Sequence, residues 1–342
     1  MILKFIGFGD MLVSFAPESN LRFIQAEAMN LNYTGAEANV CVSLSNFGVP
    51  TEFVTRLPQN AIASCAEAWL RKYNVGTNLI VHGGDRIGVI YTEKGASQRP
   101  SKVVYDRKYT SIATASPTDF DWEKIFLQSD WFHFTGITAA LSDSVAEICE
   151  QACKAAKKLG MTISCDLNYR KNLWTPEKAK SVMENLVRYV DILIANEEDA
   201  EKVLGIKAED SDVVSGKLNR NGYEQVARKL CEVYGVKKVG ITLRQSISTS
   251  DNNWSAMLYD GQNAYFSSKE YHIHIVNRVG GGDSFSAGLI YALGNNYGSQ
   301  KAIDFATAAS CLKHTIEGDF NLVTVEEVEH LAAGDGSGRV QR

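Results

Sequence analysis

The sequence predicts an α/β fold with a mostly parallel central sheet, helices on both faces and a small β-sheet lid. Short apolar segments alternate along most of the chain with longer segments of helical period. That alternation is typical of parallel strands joined by crossover helices. Residues 11–33 and 87–109 interrupt it with short strand patterns and no helix between them, which predicts a separate β layer.

The elements follow in order along the chain. Apolar strands of the central sheet are predicted at residues 3–7, 52–56, 131–134, 162–166, 192–195 and 238–242. Helical patterns predict helices at residues 36–47, 61–73, 143–159, 176–189 and 224–234. A further strand pair, 254–259 and 264–267, flanks the turn Asp260-Gly261. Because ligands of such sheets bind at the carboxyl ends of the strands, polar residues that close a strand are candidate site residues.

A chain of 342 residues is long for one core and short for two independent domains. We therefore expect one α/β domain with an appendage and a flexible tail. The expected bounds are 1–10, 34–86 and 110–333 for the α/β domain, 11–33 and 87–109 for the β lid, and 334–342 for the tail. A lid over the strand ends would exclude water from a ligand, whereas an ordinary surface hairpin would give the same pattern.

Composition excludes several classes of function. A net charge of −5 without a Lys or Arg cluster argues against a nucleic-acid-binding surface. No apolar run is long enough to span a bilayer, and the first residues lack the layout of a signal peptide. The seven scattered cysteines are typical of buried reduced thiols. We expect a cytoplasmic protein that binds neither nucleic acid nor membrane.

The most informative motif is Val-Gly-Gly-Gly-Asp at residues 279–283, between a strand pattern at 271–276 and a small, apolar helical pattern at 284–293. Three glycines at this position let backbone N–H groups converge at the positive end of a helix, where they bind an anion such as phosphate. A carboxylate there repels the anion unless it takes a proton from a hydroxyl group that attacks phosphorus. A tight turn capped by Asp283 would need only two glycines. The motif therefore favours a small-molecule kinase.

Two other phosphate-binding motifs are incomplete or absent. Gly7-Phe8-Gly9-Asp10 begins like a dinucleotide-binding fingerprint but has no third glycine and leads into the predicted lid. The sequence contains no lysine-bearing phosphate loop of the Walker type. The phosphate role therefore falls on the backbone of Gly280, Gly281 and Gly282.

Polar residues cluster where two predicted strands end. Asp166-Leu167-Asn168-Tyr169-Arg170 closes one strand, and its polar side chains either face a ligand or form a structural ion pair. Asn196-Glu197-Glu198-Asp199 follows the next strand and opens a helix. Its acids complement the helix dipole, and they also suit hydrated Mg²⁺, which takes one or two carboxylates plus water.

Two more segments carry side chains suited to an anionic, hydroxylated ligand. Gly35 and Asn39 open a predicted helix after the lid, and the Asn39 amide can both donate and accept hydrogen bonds; a plain helix start explains them nearly as well. On the predicted lid, Tyr91, Tyr105 and Arg107 could clamp an anion if they face inward.

Taken together, these motifs resemble the ribokinase-like family of carbohydrate kinases over nearly the whole chain. The segment Gly35 to Asn39, the lid, the segment Asn196 to Asp199 and the glycine–aspartate motif occur in the family's order. Within the family, the likeness is closest to 2-keto-3-deoxygluconate kinases. It is carried by residues 37–40, 94–100, 104–107 and 166–170. The resemblance implies a three-layer αβα sandwich with a mostly parallel sheet and a small β lid.

The resemblance also implies roles for individual residues. Asp283 would be the general base, with Gly280 to Gly282 as the anion hole. The implied contacts to a sugar-acid substrate are Asp10, Gly35, Asn39, Tyr91, Tyr105, Arg107 and Arg170. The implied contacts to ATP are Asn168, Asn196, Thr242 and Arg244, with Mg²⁺ held through water by Asn196 and Asp199. An Arg clamp agrees with an acid-bearing substrate, because a neutral sugar needs no cation.

Some questions stay open at this level. Asn277 and Val279 occupy the places of the family's usual Asp–Thr pair, so dependence on a monovalent cation is not settled. The C4 configuration of the substrate, gluconate- or galactonate-derived, is also open. Alternatives are a kinase of the same fold for a neutral sugar or nucleoside, and a non-catalytic sugar-sensing protein. An exposed lid edge makes a homodimer plausible.

Overall fold

The structure is a computed structural model of the chain, and it describes residues 3–207, 220–334 and 336. The described strands are β1 (Phe5–Phe8), β2 (Leu12–Ala16), β3 (Asn30–Thr34), β4 (Thr51–Val54), β5 (Arg56–Leu57), β6 (Val81–His82), β7 (Gly88–Glu93), β8 (Lys102–Asp106), β9 (Trp131–Thr135), β10 (Thr162–Asp166), β11 (Ile192–Asn196), β12 (Lys238–Ser246), β13 (Asp251–Tyr259), β14 (Ala264–Phe266) and β15 (Tyr271–His274). The described α-helices are α1 (Ala36–Asn46), α2 (Ala61–Lys72), α3 (Trp122–Ile125), α4 (Gly136–Ala139), α5 (Asp143–Lys158), α6 (Pro176–Leu186), α7 (Glu197–Leu204), α8 (Arg220–Tyr234), α9 (Gly281–Gly294), α10 (Ser299–Lys313) and α11 (Val325–Ala333). None of these helices is both long and apolar enough to cross a bilayer.

The central sheet contains nine of the described strands, in the order β14-β13-β12-β11-β10-β9-β1-β4, with β15 also paired to β13. From β4 through β12 all neighbours are parallel. At β12 the direction reverses, and β13 runs antiparallel to β12, β14 and β15. The mostly parallel sheet predicted from the sequence is therefore confirmed.

Two hydrophobic cores lie on opposite faces of this sheet. One packs α5, α6, α7 and α8 against the sheet, and the other packs α1, α9, α10 and α11 against the opposite face. In α5 the buried positions Val145, Ile148, Cys149 and Ala152 recur with helical period, so one stripe faces the sheet. Helix α9 is apolar on nearly all sides because α1 and α10 cover the surface that the sheet leaves free. The three-layer arrangement is confirmed.

A separate four-stranded sheet has the order β3-β2-β7-β8, and we call it the small sheet. Its strands come from the two stretches that break the α/β alternation. The chain enters it directly from the carboxyl end of β1, because only residues 9–11 separate Phe8 from Leu12. The small sheet therefore starts at the edge of the central sheet where ligands of parallel sheets bind.

Predicted bounds differ from the observed ones by a few residues. Helix α9 begins at Gly281, three residues before its predicted start, because the glycines themselves form its first turn. Helix α6 ends at Leu186 and continues as a short 3₁₀ turn, Val187–Tyr189. Of the predicted tail, 334–342, all but Gly334 and Gly336 lies outside the described residues.

Candidate active site

A cavity of about 820 Å³ lies where the carboxyl ends of the parallel strands, the start of α9 and the small sheet meet. It brings together almost all the residues that the sequence singled out. The predicted site residues that line it are Asp10, Gly35, Asn39, Tyr105, Arg107, Asn168, Arg170, Asn196, Asp199, Thr242, Arg244, Gly280, Gly281, Gly282 and Asp283. Tyr91 does not line it.

The glycine turn forms one end of the cavity. Gly280 has a left-handed φ of 82° and precedes the first residue of α9. A Cβ atom on Gly280 would lie 2.0 Å from the carbonyl oxygen of Asp319, and one on Gly281 would lie 2.5 Å from the His314 ring. A Cβ atom on Gly282 would meet nothing within 4 Å. No described side chain caps α9, and the Gly281 N–H donates only a long hydrogen bond of 3.4 Å to the backbone oxygen of Arg278. The N–H groups of Gly282 and Asp283 are therefore available to an anion in the cavity.

Asp283 lies in the first turn of α9, half-buried in the cavity wall. Its Oδ2 accepts a hydrogen bond of 2.6 Å from the side-chain amide of Asn39 on α1. Desolvation and the negative charge of Asp166 raise the pKa of Asp283 to about 7, against the opposing effect of the Asn39 hydrogen bond. A carboxylate with such a pKa can accept a proton near neutral pH.

Two more carboxylates lie beside it, Asp166 at the end of β10 and Asp199 in the first turn of α7, the helix that follows β11. Asp166 closes β10 and accepts hydrogen bonds from the backbone N–H of Asn168 at 3.0 Å and the Ser286 hydroxyl at 3.4 Å. Asp199 accepts one from the backbone N–H of Tyr169 at 3.2 Å. Desolvation raises the pKa of each carboxyl to about 7, and the charge of Asp199 contributes to the rise at Asp166.

These carboxylates fit a hydrated Mg²⁺ ion, because carboxylate oxygens are ligands that it prefers. Asn196 caps α7, its side-chain oxygen accepting from the backbone N–H of Asp199 at 2.8 Å. No group of three or more His, Cys, Asp or Glu side chains in the described ranges is arranged to hold a metal. A Mg²⁺ ion here would take most of its ligands from phosphate and water, which agrees with its reluctance to lose water.

A cation faces the cavity from the end of β8. Arg107 is 10% exposed, its Nε lies 3.9 Å from Oδ2 of Asp10, and its guanidinium lies 4.4 Å from the Tyr105 ring centroid. Both Asp10 oxygens and the Arg107 Nε are buried without a hydrogen-bond partner among the described residues. Burial raises the pKa of Asp10 to about 6 although Arg107 opposes that shift. These unpaired groups suit a polar, anionic ligand.

The structure does not bring Tyr91 into this cavity. On β7 the lining residues are Ile90 and Thr92, and alternate residues of a strand point to opposite faces. Tyr91 therefore lies on the far face of the small sheet, where its ring stacks on Phe15 at 5.7 Å.

Arg278, which the sequence analysis passed over, joins Arg244 in the cavity lining. Arg278 donates to the backbone oxygen of Thr249 at 3.2 Å. Desolvation lowers the pKa of Arg278, and the charge of Arg244 lowers it further. Two cations in one cavity suit a polyphosphate.

Glu37 is a second residue that the sequence analysis left without a role. It is fully buried, and its Oε1 accepts from the Thr135 backbone N–H at 2.9 Å and the Thr138 hydroxyl at 2.6 Å. A Cβ atom on Gly9 would lie 1.9 Å from its Oε2. The sequence feature that could have identified Glu37 is an acidic residue in the otherwise apolar start of a predicted helix, two positions before Asn39.

An ion pair bridges the small sheet and the loop after α10. Lys94 follows β7, Glu317 follows α10, and both residues line the cavity. The pair therefore joins the small sheet to the loop after α10 at the cavity lining.

Comparison with known proteins gives the cavity a context. Residues 7–323 match the pfkB family carbohydrate kinases. A 2-dehydro-3-deoxygalactonokinase from Haloferax volcanii is 28% identical over 99% of this chain and 99% of its own. The crystal structure of a 2-dehydro-3-deoxygluconokinase from Thermotoga maritima is 48% identical, with a TM-score of 0.94 over 98% of this chain and 99% of its own. A putative ribokinase II from E. coli, solved with ATP and Mg²⁺, shares the fold at 19% identity, with a TM-score of 0.80 over 97% of this chain and 99% of its own.

Proposed function

The chain belongs to the pfkB family of carbohydrate kinases, and from that premise we propose that it phosphorylates 2-keto-3-deoxygluconate (2-dehydro-3-deoxygluconate). The γ-phosphoryl group of ATP goes to the terminal hydroxyl group of the acid, giving the 6-phosphate and ADP. One observation carries the proposal: a single cavity holds Asp283 on an anion-binding turn together with the guanidinium of Arg107. The relatives from Thermotoga maritima and Haloferax volcanii, named for sugar acids of this kind, support the substrate class.

In the proposed reaction Asp283 accepts the proton of the attacking hydroxyl group. The bond from that oxygen to the γ-phosphorus forms as the bond from phosphorus to the β,γ-bridging oxygen breaks, and the bonding electrons leave with ADP. The backbone N–H groups of Gly280 to Gly282 stabilise the negative charge of the transferring group. The Asn39 hydrogen bond orients the Asp283 carboxylate toward the acceptor.

Nucleotide binding is assigned to the part of the cavity away from Arg107 and the small sheet. Asn168, Thr242 and Arg244 contact ATP in this proposal, and Arg278 adds a second cation for its phosphates. When bound, Mg²⁺ neutralises phosphate charge, and Asn196 and Asp199 would hold it through water beside Asp166.

Recognition of the acid is assigned first to Arg107, whose Nε has no hydrogen-bond partner among the described residues. Arg170 is the second cation, although it also lowers the pKa of Asp166 and Asp199, so its charge is shared. The remaining polar contacts to the sugar are assigned to Asp10, Gly35, Asn39 and Tyr105.

The small sheet is the proposed lid of this site, because Tyr105 and Arg107 reach the cavity from its last strand and the residue that follows.

Strands β3 and β8 are the edges of the small sheet, and pairing of such an edge with a second copy would give a dimer. A cytoplasmic location, where ATP is available, goes with this proposal.

An acceptor screen with Mg²⁺ and ATP, in which ADP release is measured, tests the proposal. The acceptors are 2-keto-3-deoxygluconate, its C4 epimer, the neutral amide of the acid, fructose, ribose and adenosine. We expect a kcat/KM for the acids at least about tenfold above that of the amide, because the amide cannot form the charged pair with Arg107. A preference for fructose, ribose or adenosine would overturn the substrate, and absence of acceptor-dependent ADP release would overturn catalysis.

A further inference from the structure

Lys313, the last residue of α10, is fully buried. Lysine is almost never fully buried unless its charge is compensated. The hydrogen bond that its ammonium donates among the described residues goes to the backbone oxygen of Ile316 at 3.3 Å. This buried cation takes no direct part in the proposed phosphoryl transfer.

Lys313 lies directly beneath the glycine turn. Its Cε would be 3.2 Å from a Cβ atom on Gly280. One turn earlier in α10, the Ser310 hydroxyl donates to the backbone oxygen of Gly281 at 2.7 Å. The backbone oxygen of His314 accepts from the N–H of Asn277 at 3.2 Å. The last turn of α10 thus forms the floor of the anion site.

Most of the charge around this floor is negative. Burial lowers the pKa of Lys313 to about 8, and Lys94 lowers it as well, whereas Asp319, Asp283 and Glu317 raise it, so the amine is still mostly charged near pH 7. The carboxyl end of α10 adds the negative end of a helix dipole. Burial lowers the pKa of His314 to about 4, so its ring is neutral near pH 7. Arg244 and Arg278 act on His314 from the cavity lining, whereas the ammonium of Lys313 lies among the acids beneath the turn.

We propose that Lys313 is a positioning residue for phosphoryl transfer, whose buried ammonium supports the Gly280 turn and offsets Asp319 and Asp283 beneath the anion hole. The reaction it serves rests on the proposed function. Lys313 acts through the turn and touches neither substrate. Its charge therefore matters most when the negative charge of the transferring group reaches the glycine N–H groups.

Three variants separate this role from simple packing. Lys313→Met keeps the length and the apolar stem while removing the charge. Lys313→Ala leaves a space that a soluble amine, n-propylammonium, can enter, with the uncharged n-butanol as its control. Lys301→Met, at an exposed lysine of the same helix that pairs with Glu329, is the matched control. All are assayed with the best acceptor of the screen, so a wrong acid substrate does not affect this comparison.

We expect Lys313→Met to lower kcat at least tenfold, with the KM for ATP and for the acceptor changed less than threefold and an unchanged melting temperature. Propylammonium should raise the kcat of Lys313→Ala at least fivefold, whereas butanol should leave it unchanged. A kcat of Lys313→Met within twofold of the parent would overturn the proposal, as would equal restoration by amine and alcohol. If no acceptor is turned over, the same variants are compared by affinity for ADP with and without aluminium fluoride. A loss confined to the fluoride complex supports the proposal, and equal affinities overturn it.

Discussion

The side-chain amide of Asn39 donates a 2.6 Å hydrogen bond to the Asp283 carboxylate, across 244 positions of sequence. This bond joins the first turn of α1, next to the small sheet, to the first turn of α9, at the glycine turn. The Asn39 amide therefore favours the charged form of Asp283, against the desolvation that raises the pKa of this carboxyl.

Replacing Asp283 with Asn should lower kcat by about a hundredfold or more while ATP still binds, because general base catalysis contributes about 10²–10⁴. Steady-state kinetics and calorimetric titration with ATP measure the two effects. Asp304→Asn is the control, since Asp304 is an acid of α10 whose side chain accepts hydrogen bonds from Ser268 and Gln300 and does not line the cavity. Near-normal turnover of Asp283→Asn would exclude the base assignment.

The pH profile should report the raised pKa of Asp283. With a pKa of about 7 in the free protein, the carboxyl is largely protonated at pH 6, so kcat/KM should rise with pH and level off above about pH 8. Asn39→Ala removes a hydrogen bond that favours the charged form, so this limb should move to higher pH. A limb that stays in place or moves to lower pH would contradict the link between the two residues.

Arg107→Ala should raise the KM for the keto-acid by about 10–100-fold, because a hydrogen bond to a charged group contributes about 1.5–3 kcal/mol. The KM for ATP should change less than threefold. Arg170→Ala should also raise the KM for the keto-acid more than the KM for ATP. Arg86→Ala serves as the control, because Arg86 pairs with Asp106 on the small sheet outside the cavity lining. Equal effects on both substrates would argue against a carboxylate clamp.

The glycine turn offers a matched pair of substitutions. A Cβ atom on Gly282 meets nothing within 4 Å, whereas one on Gly281 meets the His314 ring at 2.5 Å. Gly282→Ala should therefore keep its melting temperature and lose about tenfold or more in kcat, because the methyl group intrudes on the anion site. Gly281→Ala should lose stability by about 1–3 kcal/mol through overpacking. Full activity of a stable Gly282→Ala variant would mean that the anion does not approach this residue.

The ligand-free protein should lose stability as pH rises from about 4 to 7. The pKa of Asp166 is raised from 3.8 to about 7, so in this window the native state binds more protons than the unfolded state, and stability falls with rising pH. Asp166→Asn removes this contribution and should raise the melting temperature at pH 8 by about 2–5 °C, with little gain at pH 4. Thermal melts at both pH values measure it, and an equal gain at both would point to packing.

Local chemistry explains why much of the site could be predicted. Asp166 and Asn196 end neighbouring strands, and parallel strands bring their carboxyl ends to one edge. The turn at Gly280 to Gly282 combines residues that a simple turn does not require. Both signals are contained in a few consecutive residues, so no tertiary information was needed.

The parts that escaped prediction depend on which face of an element points inward. Tyr91 and Tyr105 lie on paired strands, but Tyr91 is opposite Val104 and Ile90 is opposite Tyr105. The alternating pattern gives two faces and does not say which one meets the cavity. Lys313 belongs to a helix that packs against α9, and its position under Gly280 follows from a contact that no local pattern encodes.

The contact between Gly9 and Glu37 sets a rule for divergence within the family. Any side chain at position 9 would occupy the place of the Glu37 carboxylate. A larger residue at position 9 is therefore compatible only with a change at position 37. A relative that carries a larger residue at position 9 needs the acid at position 37 to move or to be replaced, which disturbs its hydrogen bonds with Thr135 and Thr138. The two positions should therefore be inherited as a pair, and a mismatched combination should mark a lineage whose first helix has shifted.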